Sequence, residues 1–242
     1  MFCRIRAVTN VEQNLSAVNA RVEHAKQAYG RSTVSVLAVS KGMAEIAIRR
    51  AFAAGQLEFG ESYLQEALIK IAATRDLPIV WHFIGPIQSN KAAAIAGHFS
   101  WVHSIDRFKI AERLSAARPE NVPPLNVCIQ VNSSGEDSKS GVATGDLAAL
   151  ASTVAALPRL KLRGLMTIPA PATDSNIQRA VFREVREQFE TLCRAGHSLD
   201  TLSMGMSADL DSAIAEGATI VRVGAAIFGP REKTKPVKIS GD

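Results

Sequence analysis

Cysteine is scarce in the 242-residue sequence: Cys3, Cys128 and Cys193 are odd in number, widely spaced and form no CxxC pair, which excludes a disulfide framework and a zinc knuckle. No apolar run approaches the ~20 residues that a membrane-spanning helix needs. The N-terminus turns polar at Thr9 and Asn10 before a signal-peptide core could form, so a soluble cytoplasmic protein is expected. The histidines, His24, His82, His98, His103 and His197, lack any ligand spacing such as HExxH, and no metal is expected. Clustered charge is nearly absent too. The net charge of +5 is most concentrated in the tail, where Arg231, Lys233, Lys235 and Lys238 stand beside Glu232 and Asp242. That tail reads as a solvated end, not a nucleic-acid arm.

What is present is alternation. Asn10 and Gln13 resemble a capping box, and Val11, Leu15, Val18, Val22 and Ala25 follow at helical spacing, so a helix leads. Strands are then expected over residues 35–39, 57–60, 79–84, 101–105, 125–131, 160–166, 199–203 and 219–223. Helices are expected between them over 46–54, 63–73, 90–96, 108–117, 146–157, 176–194 and 208–215, with a last short turn at 225–228. Asp106 is placed to cap the helix at 108–117, and residues 133–141 are polar with two glycines, as in a mobile loop. With 47% hydrophobic residues and no linker, the chain fits a single (β/α)8 TIM barrel with an additional N-terminal helix. The domain is set at residues 1–230 and the polar basic tail at 231–242. The alternative is a doubly wound sheet with fewer strands, because runs as short as 57–60 are ambiguous.

The first strand, Ser35-Val36-Leu37-Ala38-Val39, ends in Ser40-Lys41. Ligands of α/β folds bind at the C-terminal ends of the strands, so Lys41 stands at that mouth as either a Schiff-base amine or a surface cation. A lysine partly shielded from water loses proton affinity and becomes nucleophilic toward an aldehyde or ketone. The other strand ends bring Glu61 and Ser62, His82, Ser104 and Asp106, Gln130 and Asn132, Met166, residues 203–207, and Arg222 with Gly224 to the same face.

Barrel phosphate sites are often built from the loops after strands seven and eight. Here Met204-Gly205-Met206-Ser207 and Arg222-Val223-Gly224-Ala225-Ala226 offer small residues and backbone N–H groups at helix starts. Ser207 is otherwise an N-cap and Gly224 otherwise a close-packing position. Together with Lys41 they point to a phosphorylated carbonyl ligand. Arg222 either pairs structurally with a carboxylate or donates to the ligand. His82, between Trp81 and Phe83, is a hydrogen-bonded interior histidine or a base.

Several stretches in order resemble one family: Leu37-Ala38-Val39-Ser40-Lys41, Phe59-Gly60-Glu61-Ser62-Tyr63, Trp81-His82-Phe83-Ile84-Gly85-Pro86, Ser138-Lys139-Ser140-Gly141, Leu162-Arg163-Gly164-Leu165-Met166, Ser203-Met204-Gly205-Met206-Ser207 and Val221-Arg222-Val223-Gly224. They are similar to the pyridoxal phosphate homeostasis proteins, whose barrel is related to the N-terminal domain of alanine racemase. The resemblance implies that Lys41 holds pyridoxal 5′-phosphate as a Schiff base, and that Ser207, Gly224 and Ala225 hold its phosphate. It also implies that Arg222 approaches the pyridine nitrogen, with Ser62, His82 and Met166 completing the cofactor set. Three positions depart from the family: Ser62 replaces a usual asparagine, Ala208 a common aspartate, and Ala225 a frequent threonine.

A second cation beside the ring nitrogen costs energy, so an arginine there keeps the ring unprotonated and a weak electron sink. A racemase also needs a second acid or base, which related racemases draw as a tyrosine from an additional C-terminal domain. The only tyrosines here are Tyr29 and Tyr63, and only the polar tail follows the eighth strand. A cofactor-holding protein without robust turnover is therefore expected, with pyridoxal-phosphate-dependent apoenzymes as acceptors and a monomer or weak homodimer as its state. The alternatives are a pyridoxal-phosphate racemase and a cofactor-free Schiff-base aldolase. No nucleic acid or membrane partner is expected.

Overall fold

The computed structural model describes residues 10–133 and 140–230. Cys3, the predicted tail at 231–242 and most of the predicted loop at 133–141, including Ser138 and Lys139, lie outside the described residues.

Helix α1 (Val11–Ala28) opens the chain, with the Gln13 N–H donating to Asn10 Oδ1 at 3.0 Å as the sequence predicts. Then β1 (Ser35–Val39), α2 (Glu45–Ala53), β2 (Glu58–Glu61), α3 (Leu64–Ala73), β3 (Val80–Phe83), α4 (Ala92–His98), β4 (Trp101–Ile105), α5 (Phe108–Ala117) and β5 (Leu125–Gln130) alternate. The second half continues through α6 (Leu147–Ala155), β6 (Leu160–Met166), α7 (Ser175–Arg194), β7 (Thr201–Ser203), α8 (Leu210–Ala215), β8 (Ile220–Val223) and α9 (Ala225–Phe228).

All eight strands are parallel and close in sequence order, with β1 pairing β8 through Val36↔Val221 and Leu37↔Arg222. The fold is the (β/α)8 barrel, and the doubly wound alternative is excluded because the first and last strands are hydrogen-bonded neighbours. Phe59 and Trp81 face outward, 5.8 Å apart, and pack under the helices with Ile48, Ile95 and Leu114. Each such side chain stabilises the fold by roughly 1.5–3 kcal/mol on burial. Gly164 is required at the β6–β7 contact: its φ is +156°, and a Cβ would lie 1.8 Å from the Thr201 carbonyl oxygen. Helix α1 closes the side of the barrel beside α8 and α9, where the Asn14 side chain donates to the Ile227 carbonyl at 3.0 Å.

Two local expectations are corrected. Asp106 does not cap α5: both of its oxygens accept from Arg107 at 2.8 Å, and Arg107 occupies the cap position without a side-chain bond. Ser207 does not cap α8 either, because residues 207–209 form a turn and Asp209 is the cap residue. Among the described residues, no helix is long and apolar enough to cross a membrane, and no cluster of His, Cys, Asp and Glu could hold a metal ion.

Candidate functional site

Lys41 follows β1 in a tight turn closed by the Met43 N–H on the Ser40 carbonyl, at 3.0 Å. That turn is fastened from beneath. The buried Lys70 ammonium of α3 donates to the Ser40 carbonyl at 2.7 Å and to Glu61 Oε1 at 2.7 Å. Ser40 Oγ reaches the same carboxylate oxygen at 2.6 Å, and Glu66 accepts from both Lys70 and the Gly42 N–H. Burial pushes the Glu61 carboxyl up, and the bonds from Lys70 and Ser40 oppose that shift. Lys70 was not singled out from the sequence, although its four-residue spacing from Glu66 on α3 was visible. At the mouth, Lys41 Nζ lies 3.4 Å from Ser62 Oγ, so the predicted first and second strand ends meet.

The loops after β7 and β8 lie side by side. Gly205 has φ +88°, and a Cβ there would sit 2.4 Å from the Ala213 Cβ; its carbonyl accepts from the Arg222 N–H at 2.9 Å. In the turn that follows, the Met206 N–H donates to Asp209 Oδ1 at 2.6 Å, and Arg21 of α1 holds the Ser207 carbonyl at 2.9 Å. Arg21 is a further brace that sequence reasoning missed. Gly224 opens α9, where a Cβ would stand 3.2 Å from the Val39 carbonyl oxygen, so the close-packing reading of this glycine holds. The first N–H groups of a helix have no acceptor within it, and the start of α9, Gly224 and Ala225, lines a small cleft together with Val39, Lys41, Met43 and Phe228. Lys41, Gly224 and Ala225 are thus brought together.

The remaining predicted residues lie deeper. Arg222, 3% exposed, donates to the Ser203 carbonyl at 2.6 Å, to Ser203 Oγ at 2.9 Å and to the Thr167 carbonyl at 2.8 Å. It has no carboxylate partner among the described residues, and burial pulls it down to about 10. His103 Nδ1 meets Ser203 Oγ at 2.8 Å, and His103 Nε2 meets His82 Nδ1 at 2.9 Å. Strands β4 and β7 are not neighbours, so this contact crosses the barrel interior. His82 is fully buried, stacked on Trp101 with centroids 5.3 Å apart, and burial pushes it down to about 3. It is therefore an interior histidine and not a base poised at the mouth. Met166 ends β6, fully buried, in register with Gln130 and Ser203.

Residues 13–232 match the family model for the alanine racemase N-terminal domain. The pyridoxal phosphate homeostasis protein of Pseudomonas aeruginosa is 56% identical, over 95% of this chain and 99% of that one. The protein of the same name from Escherichia coli K12 is 47% identical over 94% of this chain and all of that one. The chain belongs to the pyridoxal phosphate homeostasis protein family. Among solved structures, family member PipY of Synechococcus elongatus, determined with pyridoxal phosphate bound, is 36% identical with a TM-score of 0.81, covering 90% of this chain and all of that one. Alanine racemase of Corynebacterium glutamicum shares the barrel at 22% identity and a TM-score of 0.66, with 63% of its length covered.

Proposed function

We propose that the protein binds pyridoxal 5′-phosphate at the barrel mouth and acts in intracellular vitamin B6 homeostasis, holding the cofactor on Lys41 without robust catalytic turnover. The observation that carries this reading is the cleft in which the Lys41 turn faces Gly224 and Ala225 across the β1–β8 seam. A side-chain amine and a run of small residues with outward N–H groups suit the two ends of one phosphorylated aldehyde. The residues fit the group in a second respect. Arg222 is a buried cation whose hydrogen bonds go to neutral acceptors, with the Asp209 carboxylate acting on it only through space, and an anionic ligand would add counter-charge at contact.

In this reading Lys41 supplies the amine, Ser62 orients it, and Ser207, Gly224 and Ala225 hold the phosphate. Arg222 stands toward the ring nitrogen, with Met166 and His82 beneath. Bound to an amine, pyridoxal phosphate supplies an electron sink, and a guanidinium beside its ring nitrogen weakens that sink. The placement of tyrosine supports weak turnover. Tyr29 lies 5.9 Å from Arg179, whose partner Glu216 precedes β8 at the opposite end of the barrel. Tyr63 follows Ser62 but is 60% exposed. Residues 1–230, which hold every predicted site residue, act as the cofactor domain in a cytoplasmic, monomeric or weakly dimeric protein that passes its cofactor to apoenzymes.

Purified protein incubated with pyridoxal phosphate should turn yellow, and borohydride should fix the label on Lys41. Transfer to a pyridoxal-phosphate-dependent apoenzyme should then restore that enzyme's activity. Protein that stays colourless with added cofactor refutes the reading. Exchange of amino-acid α-hydrogens in deuterated water well above the rate with free cofactor would favour a racemase.

A further inference from the structure

The hydrogen bonds inside the barrel have a direction, and it fixes the proton on each group. A guanidinium can only donate. Arg222 gives one proton to Ser203 Oγ at 2.9 Å, and the Ser203 proton then has His103 Nδ1, 2.8 Å away, as its acceptor. The opposite polarity would leave the serine proton with no acceptor among the described residues. His103 is therefore bare at Nδ1 and protonated at Nε2, which donates to His82 Nδ1 at 2.9 Å. His82 carries its own proton on Nε2, and that N–H has no partner among the described residues.

Four side chains from β8, β7, β4 and β3 thus form one unidirectional row starting at Arg222. A buried N–H without an acceptor costs about 1–3 kcal/mol, and apolar rings in the same volume would avoid that cost. The row therefore has a use other than filling the barrel. Its outer end is the guanidinium assigned above to the ring nitrogen of the ligand. Each link that accepts a proton strengthens the acceptor before it, so His103 makes Ser203 Oγ a better partner for Arg222.

We propose that His103 and His82 are positioning residues for Arg222: through Ser203 they hold the guanidinium in one orientation toward the ring of the bound cofactor. This rests on the reading that the site binds pyridoxal phosphate. The row presents only acceptors to Arg222, so the cation keeps its protons for the carbonyls of Ser203 and Thr167 and for the ligand.

The test compares His103→Phe, which keeps a ring but removes the acceptor, with His103→Gln, whose amide can accept from Ser203 and donate to His82. Ser203→Ala cuts the row with a smaller change of volume and serves if His103→Phe does not fold. With added pyridoxal phosphate, His103→Phe and Ser203→Ala should still be labelled at Lys41 by borohydride. Their visible absorption maximum should shift, and they should lose the cofactor about tenfold faster, the equivalent of one hydrogen bond at about 1.4 kcal/mol. His103→Gln should restore both readouts. Folded His103→Phe and Ser203→Ala proteins with wild-type spectrum and retention overturn this proposal alone. A wild type that takes up no pyridoxal phosphate overturns the functional reading and this one with it.

Discussion

The Lys70 ammonium sits 2.7 Å from the fully buried Glu61 carboxylate while also holding the Ser40 carbonyl, one residue before Lys41. Glu61 Oε2 has no partner among the described residues, so the carboxylate is held through Oε1 alone, where Lys70 supplies the only charge and Ser40 Oγ a second hydrogen bond. Lys70→Met would leave a buried carboxylate uncompensated, which costs roughly 3–5 kcal/mol. Urea denaturation at neutral pH should show that loss, and Lys70→Met combined with Glu61→Leu should recover most of it. A loss below about 1 kcal/mol in the single variant would show that the pair does not hold the turn.

Stability should fall on acidification in a definite window. His82 is pushed down to about 3 and His103 well below its ordinary value, both by burial. In the unfolded chain both take up protons near pH 6.5, so below that pH the unfolded state binds more protons and is favoured. The stabilisation is complete above about pH 7 and declines toward pH 3, by up to about 1.4 kcal/mol per pH unit per histidine. His103→Phe should make that slope visibly shallower in denaturation curves at pH 6, 5 and 4. An unchanged slope would mean that His103 takes up its proton in the fold as readily as in the unfolded chain.

Lys41→Ala should remove the cofactor's visible band and the borohydride-fixed label while leaving the fold intact, because Lys41 is partly exposed on a turn fastened by Lys70 and Glu66. Circular dichroism should be unchanged. A label that persists in the variant would place the adduct elsewhere.

Gly205→Ala should impair both folding and retention. The φ of +88° costs a side chain on the order of 1–2 kcal/mol, and the new Cβ would collide with Ala213 at 2.4 Å. Gly224→Ala is the milder probe: its Cβ would stand 3.2 Å from the Val39 carbonyl oxygen, so the thermal midpoint should move little while phosphate-dependent affinity drops. Equal affinity for pyridoxal phosphate in Gly224→Ala and wild type would remove this turn from the site.

Arg222→Gln tests the two roles first considered for this residue. Sequence logic gave it a carboxylate or the ligand as partner, whereas the structure gives it Ser203 and Thr167. The variant should therefore melt lower even without ligand, and bind the cofactor more weakly as well. An unchanged apo melting temperature would show that these carbonyl bonds contribute little.

The barrel was legible because each strand is a short apolar run closed by turn residues, and because the loops after β7 and β8 carry glycines that only backbone geometry demands. Lys41, Glu61 and Arg222 could be placed at strand ends from that pattern alone. The row through His103 could not. It joins residues 100 positions apart across the barrel, and local periodicity says nothing about which interior side chains meet. Lys70 was hidden for a related reason, since a lysine four residues after Glu66 reads as an ordinary helix-surface pair until the Ser40 turn is seen above it. The misplaced cap at Asp106 arose from competition: Arg107 takes the carboxylate that the helix would have used.

The join between β1 and β8 is the only neighbouring pair in the hoop whose strands are not successive in the chain. A guest gripped by Lys41 on one side and the Gly224 turn on the other straddles that join like a clasp. Fraying of the last strand and escape of the guest then become one event, so the rate of cofactor release should track hydrogen exchange at Val221 and Val223.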